Sequence, residues 1–228
     1  MDLIKDFGLF ARDHKVSTTA LDDYSRLVNS GRYIEPTIIE ERQLNVSQIS
    51  VFSRLFMDRI LFLGTAIDDT VANIVNAQLL YLSGMNPDKA ISLYINSPGG
   101  SVTAGLSMYD TINFIESEVS TTCLGMAASM GAVLLSSGEK GKRYSLTHSD
   151  IMIHQPLSGI APNTQASDIE IHWKEIKKCK NTLYQILSEN TGKSVEEIEV
   201  ACDRDNWFTA QEAVDFGLID KVIKKGMK

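Results

Sequence analysis

The chain has 228 residues, and its 29 acidic against 22 Lys and Arg side chains leave a formal charge of −7. With 43% hydrophobic and 22% charged residues it reads as one globular domain, with or without an appendage, and a disordered chain is excluded. Nothing like a long Lys/Arg block offsets the acidic balance, which disfavours a nucleic-acid binder. Cys123, Cys179 and Cys202 contain no C-x-x-C pair, so neither a disulfide framework nor a zinc site is suggested and a reducing cytoplasm is the simpler home.

Residues 1–32 balance acids against bases and lack the apolar centre of a secretory signal; with residues 33–50 they read as a leader or arm, and the compact domain is expected to begin near Val51. Arg59 to Leu63 is a short apolar strand. Asp69 to Leu82 sets Val71, Ile74, Val75 and Leu79 at helical spacing, with Gly84 and Pro87 expected to stop it. A second strand, Ile91 to Ile95, leads through the turn Ser97-Pro-Gly-Gly100 into a helix through Tyr109 and Phe114, and a third strand covers Val119 to Leu124. Alternation of this kind implies an α/β fold with parallel strands. A small-residue turn at Gly125 to Ser129 should then open an apolar helix, followed by a strand around Ile151 to Ile153, a loop over Ser158 to Asn163 and a long helix from Gln165 to Asn190. Ser194-Val-Glu-Glu197 and Thr209-Ala-Gln-Glu212 are capping boxes, and a last strand covers Leu218 to Ile223. The uncharged stretch Val119 to Gly138 is about bilayer length, but its serines, threonines and glycines mark it as protein core.

In α/β sheets ligands bind beyond the carboxyl ends of strands, and two loops have that position. In Asn96-Ser-Pro-Gly-Gly100 the glycines let the backbone approach a ligand and leave N–H groups outward, although such turns are often only tight turns. In Gly125-Met-Ala-Ala-Ser129-Met-Gly131 a lone serine stands at a helix start beside the N–H of Met130, which suits an acyl-transfer nucleophile and equally suits a helix N-cap. Of the four histidines, His154 ends a strand and is the best placed base; His148 competes from a polar turn, whereas His14 and His172 lie in the arm and the long helix. Asp203 and Asp205, either side of Arg204, could each orient the histidine, and spacing does not separate them; the segment could also be a charged connector with an Arg ion pair.

Tyr94-Ile-Asn-Ser-Pro-Gly-Gly100, Gly125-Met-Ala-Ala-Ser-Met-Gly131, Met152-Ile-His-Gln-Pro156 and Asp203-Arg-Asp-Asn206, in this order, strongly resemble the Clp protease family of self-compartmentalised serine endopeptidases. The match runs from about Tyr33 to Val222. The resemblance implies Ser129 as nucleophile, His154 as base, Asp205 as orienting acid, and the backbone N–H groups of Gly100 and Met130 as the oxyanion hole. It implies a crotonase-like fold of repeated β-β-α units forming a head, with a long helix and neighbouring strand as a handle at about residues 155–190. Residues 1–32 would be a propeptide, 33–50 an axial arm, and 51–228 the protease domain.

Further implications concern assembly and supply. The family forms two stacked heptameric rings, with Arg204 and Asp203 at a ring contact and substrate held along Leu157 to Asn163. Unfolded proteins are fed in by an AAA+ unfoldase that docks at aromatic pockets, here Tyr94 and Phe114, with Ser92 where some relatives carry a further tyrosine. Short peptides enter unaided, and the work is protein quality control and regulated degradation. Because the chain has no G-x-x-x-x-G-K-[ST] loop, ATP would be used by the partner, leaving this subunit without cofactor or metal. No membrane or nucleic-acid partner is expected. Two rivals are an acyl-CoA enzyme of the same superfold, which would stabilise a thioester enolate, and an inactive structural ring subunit.

Overall fold

In the computed structural model, residues 37–42, 45–224 and 226 are described. The expected leader, residues 1–32, lies outside them. The first elements are β1 (Thr37–Arg42) and β2 (Asn45–Ser50), an antiparallel pair in which Thr37 faces Ser50 and Arg42 faces Asn45. Most of the segment expected as an arm is thus a hairpin, which the weak alternation of TIIEER and NVSQIS did not announce.

From Val51 onward the chain alternates as expected. Helix α1 (Val51–Met57) precedes β3 (Ile60–Leu63), α2 (Asp69–Met85), β4 (Ile91–Ser97), α3 (Val102–Phe114), β5 (Val119–Ala128) and α4 (Met130–Ser136). Then come β6 (Arg143–Leu146), β7 (Asp150–Ile153), α5 (Ala166–Thr191), α6 (Val195–Ala201), β8 (Asn206–Thr209), α7 (Ala210–Phe216) and β9 (Lys221–Ile223). Both predicted capping boxes are formed, at Ser194 with Glu197 and at Thr209 with Glu212. Helix α2 runs through Gly84, so the glycine did not stop it; Asn86 caps it one residue before Pro87.

The sheet has the order β3-β4-β5-β6-β9 with every neighbouring pair parallel, while β7 pairs parallel with β5 and antiparallel with β8. One strand therefore serves two partners. Residues Thr121–Cys123 of β5 pair with β6, and Met126–Ala128 pair with β7. The strand turns between the two at Gly125, whose φ of 86° favours glycine. The expected small-residue turn over 125–129 is in this way strand as far as Ala128, because β4 and β7 supply ladder partners that the local sequence does not show. The two halves of β5 followed by α4 form one β-β-α unit of the expected kind.

Leu61, Leu63, Ile91, Leu93, Ile95, Met108, Leu134, Leu135, Ile151 and Ile153 are buried together, with the alternate residues of β3 and β4 turned outward. Arg59, a non-glycine residue at φ 63°, reaches from the start of β3 to the carbonyls of Leu82, Lys89 and Ala90 and to Ser117 Oγ, at 2.7–3.0 Å. It ties the end of α2 to the loop before β5. On the far side Arg143, buried, meets both carboxylate oxygens of Asp220 and the carbonyls of Asn190 and Gly217. The last turns of α5 enter the core through Leu183, Tyr184, Ile186 and Leu187, whereas its first four turns stand exposed, with Ile169, Ile171 and Trp173 open. No helix among the described residues is long and apolar enough to cross a membrane.

Candidate active site

Strand register brings three distant residues together. Because Ala128 of β5 lies beside Met152 of the parallel β7, the chain leaves the two strands side by side, at Ser129 and at His154. Strand β8 runs back along β7 with Asn206 against Ile153, so one step further Asp205 stands opposite His154. His154 Nε2 is 2.9 Å from Ser129 Oγ, and His154 Nδ1 is 2.9 Å from Asp205 Oδ1. The imidazole is 13% exposed and the carboxylate 64%, so the histidine is sheltered while its acid faces solvent in the single chain. Asp203, the alternative that spacing left open, uses its backbone carbonyl to accept from Gln155 Nε2 at 2.7 Å, while Gln155 N–H donates to the carbonyl of Cys202.

Ser129 sits at φ 54°, ψ −124°, outside the ordinary wells of an L residue. A conformation of that kind costs about 1–3 kcal/mol and persists only where the surroundings impose it. Here the Ser129 N–H donates to the Met152 carbonyl at 2.8 Å, and Gly99 presses on the turn. A Cβ on Gly99 would fall 2.7 Å from Ser129 Cβ and 2.6 Å from the Ala128 carbonyl oxygen, so only glycine fits. The Ser129 side chain makes no cap hydrogen bond to α4. The N-cap alternative thus fails, and the hydroxyl is left to the histidine, as in strand-to-helix nucleophile turns.

The N–H groups of Gly100 and Met130 are the two that the family resemblance assigns to an oxyanion hole. Gly99 O accepts from Ile67 N at 2.8 Å and Ser101 N donates to Ile67 O, forming a parallel bridge. In a trans peptide the N–H points opposite to the carbonyl, so the Gly100 N–H is directed away from Ile67. Met130 opens α4, where a first-turn N–H has no partner within the helix. The position of the first loop is in turn fixed by buried Ser97, whose Oγ accepts from Gly99 N at 3.1 Å.

The other predicted residues are placed elsewhere. Arg204 meets only the Asp203 carbonyl, at 3.4 Å, and forms no ion pair among the described residues. His148 lies in the turn between β6 and β7 and His172 is exposed on α5; neither bonds Ser129, and His14 lies outside the described residues. Burial pushes the thiol of Cys123 up to about 11 and that of Cys202 up to about 12, and raises that of Cys179 as well, which disfavours the reactive thiolate at all three. Tyr94 stacks on Phe62 at 5.4 Å, with Phe52 edge-on to Phe62, beside a cavity of about 100 Å³ lined by Phe52, Phe56, Ile60 and Phe62. Phe114 stands 79% exposed at the end of α3. Phe52 and Phe62 went unnoticed in the sequence, although the alternation of Ile60-Leu-Phe-Leu63 already puts Phe62 on the outer face.

The description Clp protease fits residues 42–226 of the chain. The chain belongs to the Clp protease family. Among curated Clp protease relatives, the ATP-dependent Clp protease proteolytic subunit of Porphyromonas gingivalis is 55% identical over 226 residues, covering 99% of this chain and 100% of that one. Proteins of the same name from Bacteroides fragilis and Bacteroides thetaiotaomicron are 54% and 53% identical over 221 residues, each covering 96% of this chain and 99% of the relative. Ser129, His154 and Asp205 all fall within the segment matched as a Clp protease.

Proposed function

We propose that this Clp-family chain is a serine endopeptidase in which Ser129, His154 and Asp205 form the catalytic triad. The observation that carries this is the unbroken line of two 2.9 Å hydrogen bonds from Asp205 through His154 to Ser129. With the Nδ1–H donated to Asp205, the Nε2 lone pair accepts the serine proton as Oγ attacks the peptide carbonyl. The oxyanion is held by the N–H groups of Gly100 and Met130. Collapse of the tetrahedral intermediate expels the amine, protonated by His154, and leaves an acyl ester on Ser129. Water, deprotonated by the same histidine, hydrolyses that ester and restores the serine. A thioester-enolate enzyme would use the two N–H groups but has no need of a serine bonded to a histidine.

Unfolded proteins and short peptides are the substrates in this reading. The irregular segment between His154 and α5, with Leu157 and Ile160 exposed, adjoins the end of β7 and suits extended peptide laid along it. The exposed apolar first turns of α5 suit burial against further copies in two stacked heptameric rings, with Arg204 and Asp203 at the ring contact. An ATP-consuming AAA+ unfoldase is the partner, in keeping with the words ATP-dependent in the relatives' name, and would dock at the outer aromatic face containing Tyr94 and at Phe114. The subunit itself takes no cofactor or metal, and its three free thiols suit the cytoplasm.

Fluorophosphonate labelling of the purified assembly, read by intact mass, tests the central claim. Wild type is expected to gain one label per chain and Ser129→Ala none, with peptidase turnover falling about a millionfold. An assembled wild type that takes no label, or a Ser129→Ala variant that does, overturns the reading.

A further inference from the structure

Between Cys123 and Ala127 strand β5 carries more chain than its neighbour. Ile95 pairs with Cys123, but Ser97 pairs with Ala127, so Leu124, Gly125 and Met126 together oppose Asn96. A bulge of this size interrupts the ladder and leaves backbone groups without strand partners. Three of these are met by two side chains, one on β4 and one on the residue that precedes β7. Asn96 Oδ1, from β4, accepts from Met126 N at 3.2 Å. Ser149, 2% exposed and directly before β7, accepts from Gly125 N at 3.1 Å and donates to the Cys123 carbonyl at 3.1 Å. A Cβ on Gly125 would lie 3.1 Å from Asn96 Oδ1, so the amide would have to give by a few tenths of an ångström, and the φ of 86° itself disfavours a side chain there.

The three strands joined at this bulge each lead to one part of the proposed site: β4 to Gly100, β5 to Ser129 and β7 to His154. The bulge is also where β5 leaves β6 for β7. We infer that Asn96 and Ser149 are positioning residues for the proposed hydrolysis: by filling the hydrogen bonds of the β5 bulge they fix where Ser129 emerges relative to His154. They touch neither substrate nor the reacting atoms. Ser149 holds the larger share, being buried and bonded twice, whereas the Asn96 bond is single and solvent-facing. A displacement of about 1 Å between nucleophile and base can cost on the order of a hundredfold in rate, so the device is expected to show in turnover and not in affinity.

This inference rests on the triad reading, and the experiment separates the two. Wild type, Ser149→Ala, Asn96→Ala and Asn96→Asp are compared as assembled particles for kcat and KM on a short fluorogenic peptide and for the rate of fluorophosphonate labelling, with melting temperature and particle size recorded for each. Labelling of wild type at Ser129 tests the triad alone. Given that label, Ser149→Ala is expected to lower kcat and labelling rate together by about tenfold to a hundredfold with KM nearly unchanged. Asn96→Ala should lose less, and Asn96→Asp, which keeps the acceptor oxygen, should recover most of that loss. Assembled Ser149→Ala and Asn96→Ala particles with wild-type kcat and labelling rate would overturn the inference, as would an Asn96→Asp variant no better than Asn96→Ala. Should Ser149→Ala fail to assemble, the exposed Asn96 pair still decides the matter.

Discussion

Two aspartates at opposite ends of one short stretch of chain do different work. Asp205, just before β8, gives one oxygen to His154 and leaves most of its surface to solvent. Asp220, just before β9, accepts from Arg143 Nε, Arg143 Nη2, Arg143 N and Gly141 N, against an arginine side chain only 6% exposed. Burial pushes the Asp220 carboxyl up, but the Arg143 side chain, its backbone N–H, its charge and the Gly141 N–H together hold the group below its ordinary value of 3.8. In the proposed mechanism the first acid is left able to follow a histidine whose charge changes during turnover. The second is locked to a cation that never changes. The acid proposed to serve chemistry is here sparingly bonded, and the one that serves the fold is saturated.

Substitutions that remove one charge at a time break the comparison if it is wrong. Asp205→Asn should lower kcat about ten-thousandfold, read by peptide hydrolysis, because the histidine loses the acceptor that sets its tautomer. Its stability should stay within about 0.5 kcal/mol of wild type, as for most exposed positions. Asp220→Asn should do the reverse, costing about 3 kcal/mol in chemical denaturation by stranding the buried Arg143 guanidinium, while each folded molecule keeps its activity. If Asp220→Asn lowered kcat without lowering stability, the division of labour would be lost.

Acid sharpens the same contrast. A carboxyl whose folded value is depressed stabilises the fold above its unfolded value, and that stabilisation fades as pH falls through the folded one. The difference in melting temperature between wild type and Asp220→Asn should therefore be full at pH 6 and shrink below about pH 4. A difference that grew on acidification would contradict the lowered value. The smallest effect belongs to Thr209, whose capping box opens α7, the helix between the two aspartates. Thr209→Ala should cost about 1 kcal/mol of stability with kcat unchanged, as measured by urea unfolding and peptide hydrolysis.

The site was legible in the sequence wherever a residue's surroundings are its chain neighbours. Gly99 and Gly100 beside a strand end, Ser129 among small residues at a helix start and His154 at the end of Ile151-Met-Ile153 are local signals, and all three segments meet as expected. The choice between Asp203 and Asp205 was not local. It depends on β8, a four-residue strand missed in the sequence, whose register against β7 sets Asp205 across from His154. Strand β6 was missed for the same reason: Arg143-Tyr-Ser-Leu146 follows a Gly/Lys turn and shows little alternation, and β5 and β9 make it a strand by pairing with it. The Arg59 and Arg143 anchors escaped notice because an arginine's partners, here carbonyls and an acid 23 to 77 residues away, leave no mark in its own segment.

The bulge in β5 has a numerical property that bears on how such chains can vary. Four steps from Cys123 to Ala127 match two steps from Ile95 to Ser97, so the surplus is even, and buried Cys123 and Ala127 keep to one side of the sheet. Side chains alternate with a period of two along a strand. That alternation is suspended where Leu124, Gly125 and Met126 oppose Asn96 alone, and it resumes at Ala127 on the face set by pairing with Ser97. Extra chain at this point is therefore absorbed by the bulge, and the direction in which Ser129 faces is set by the register regained after it.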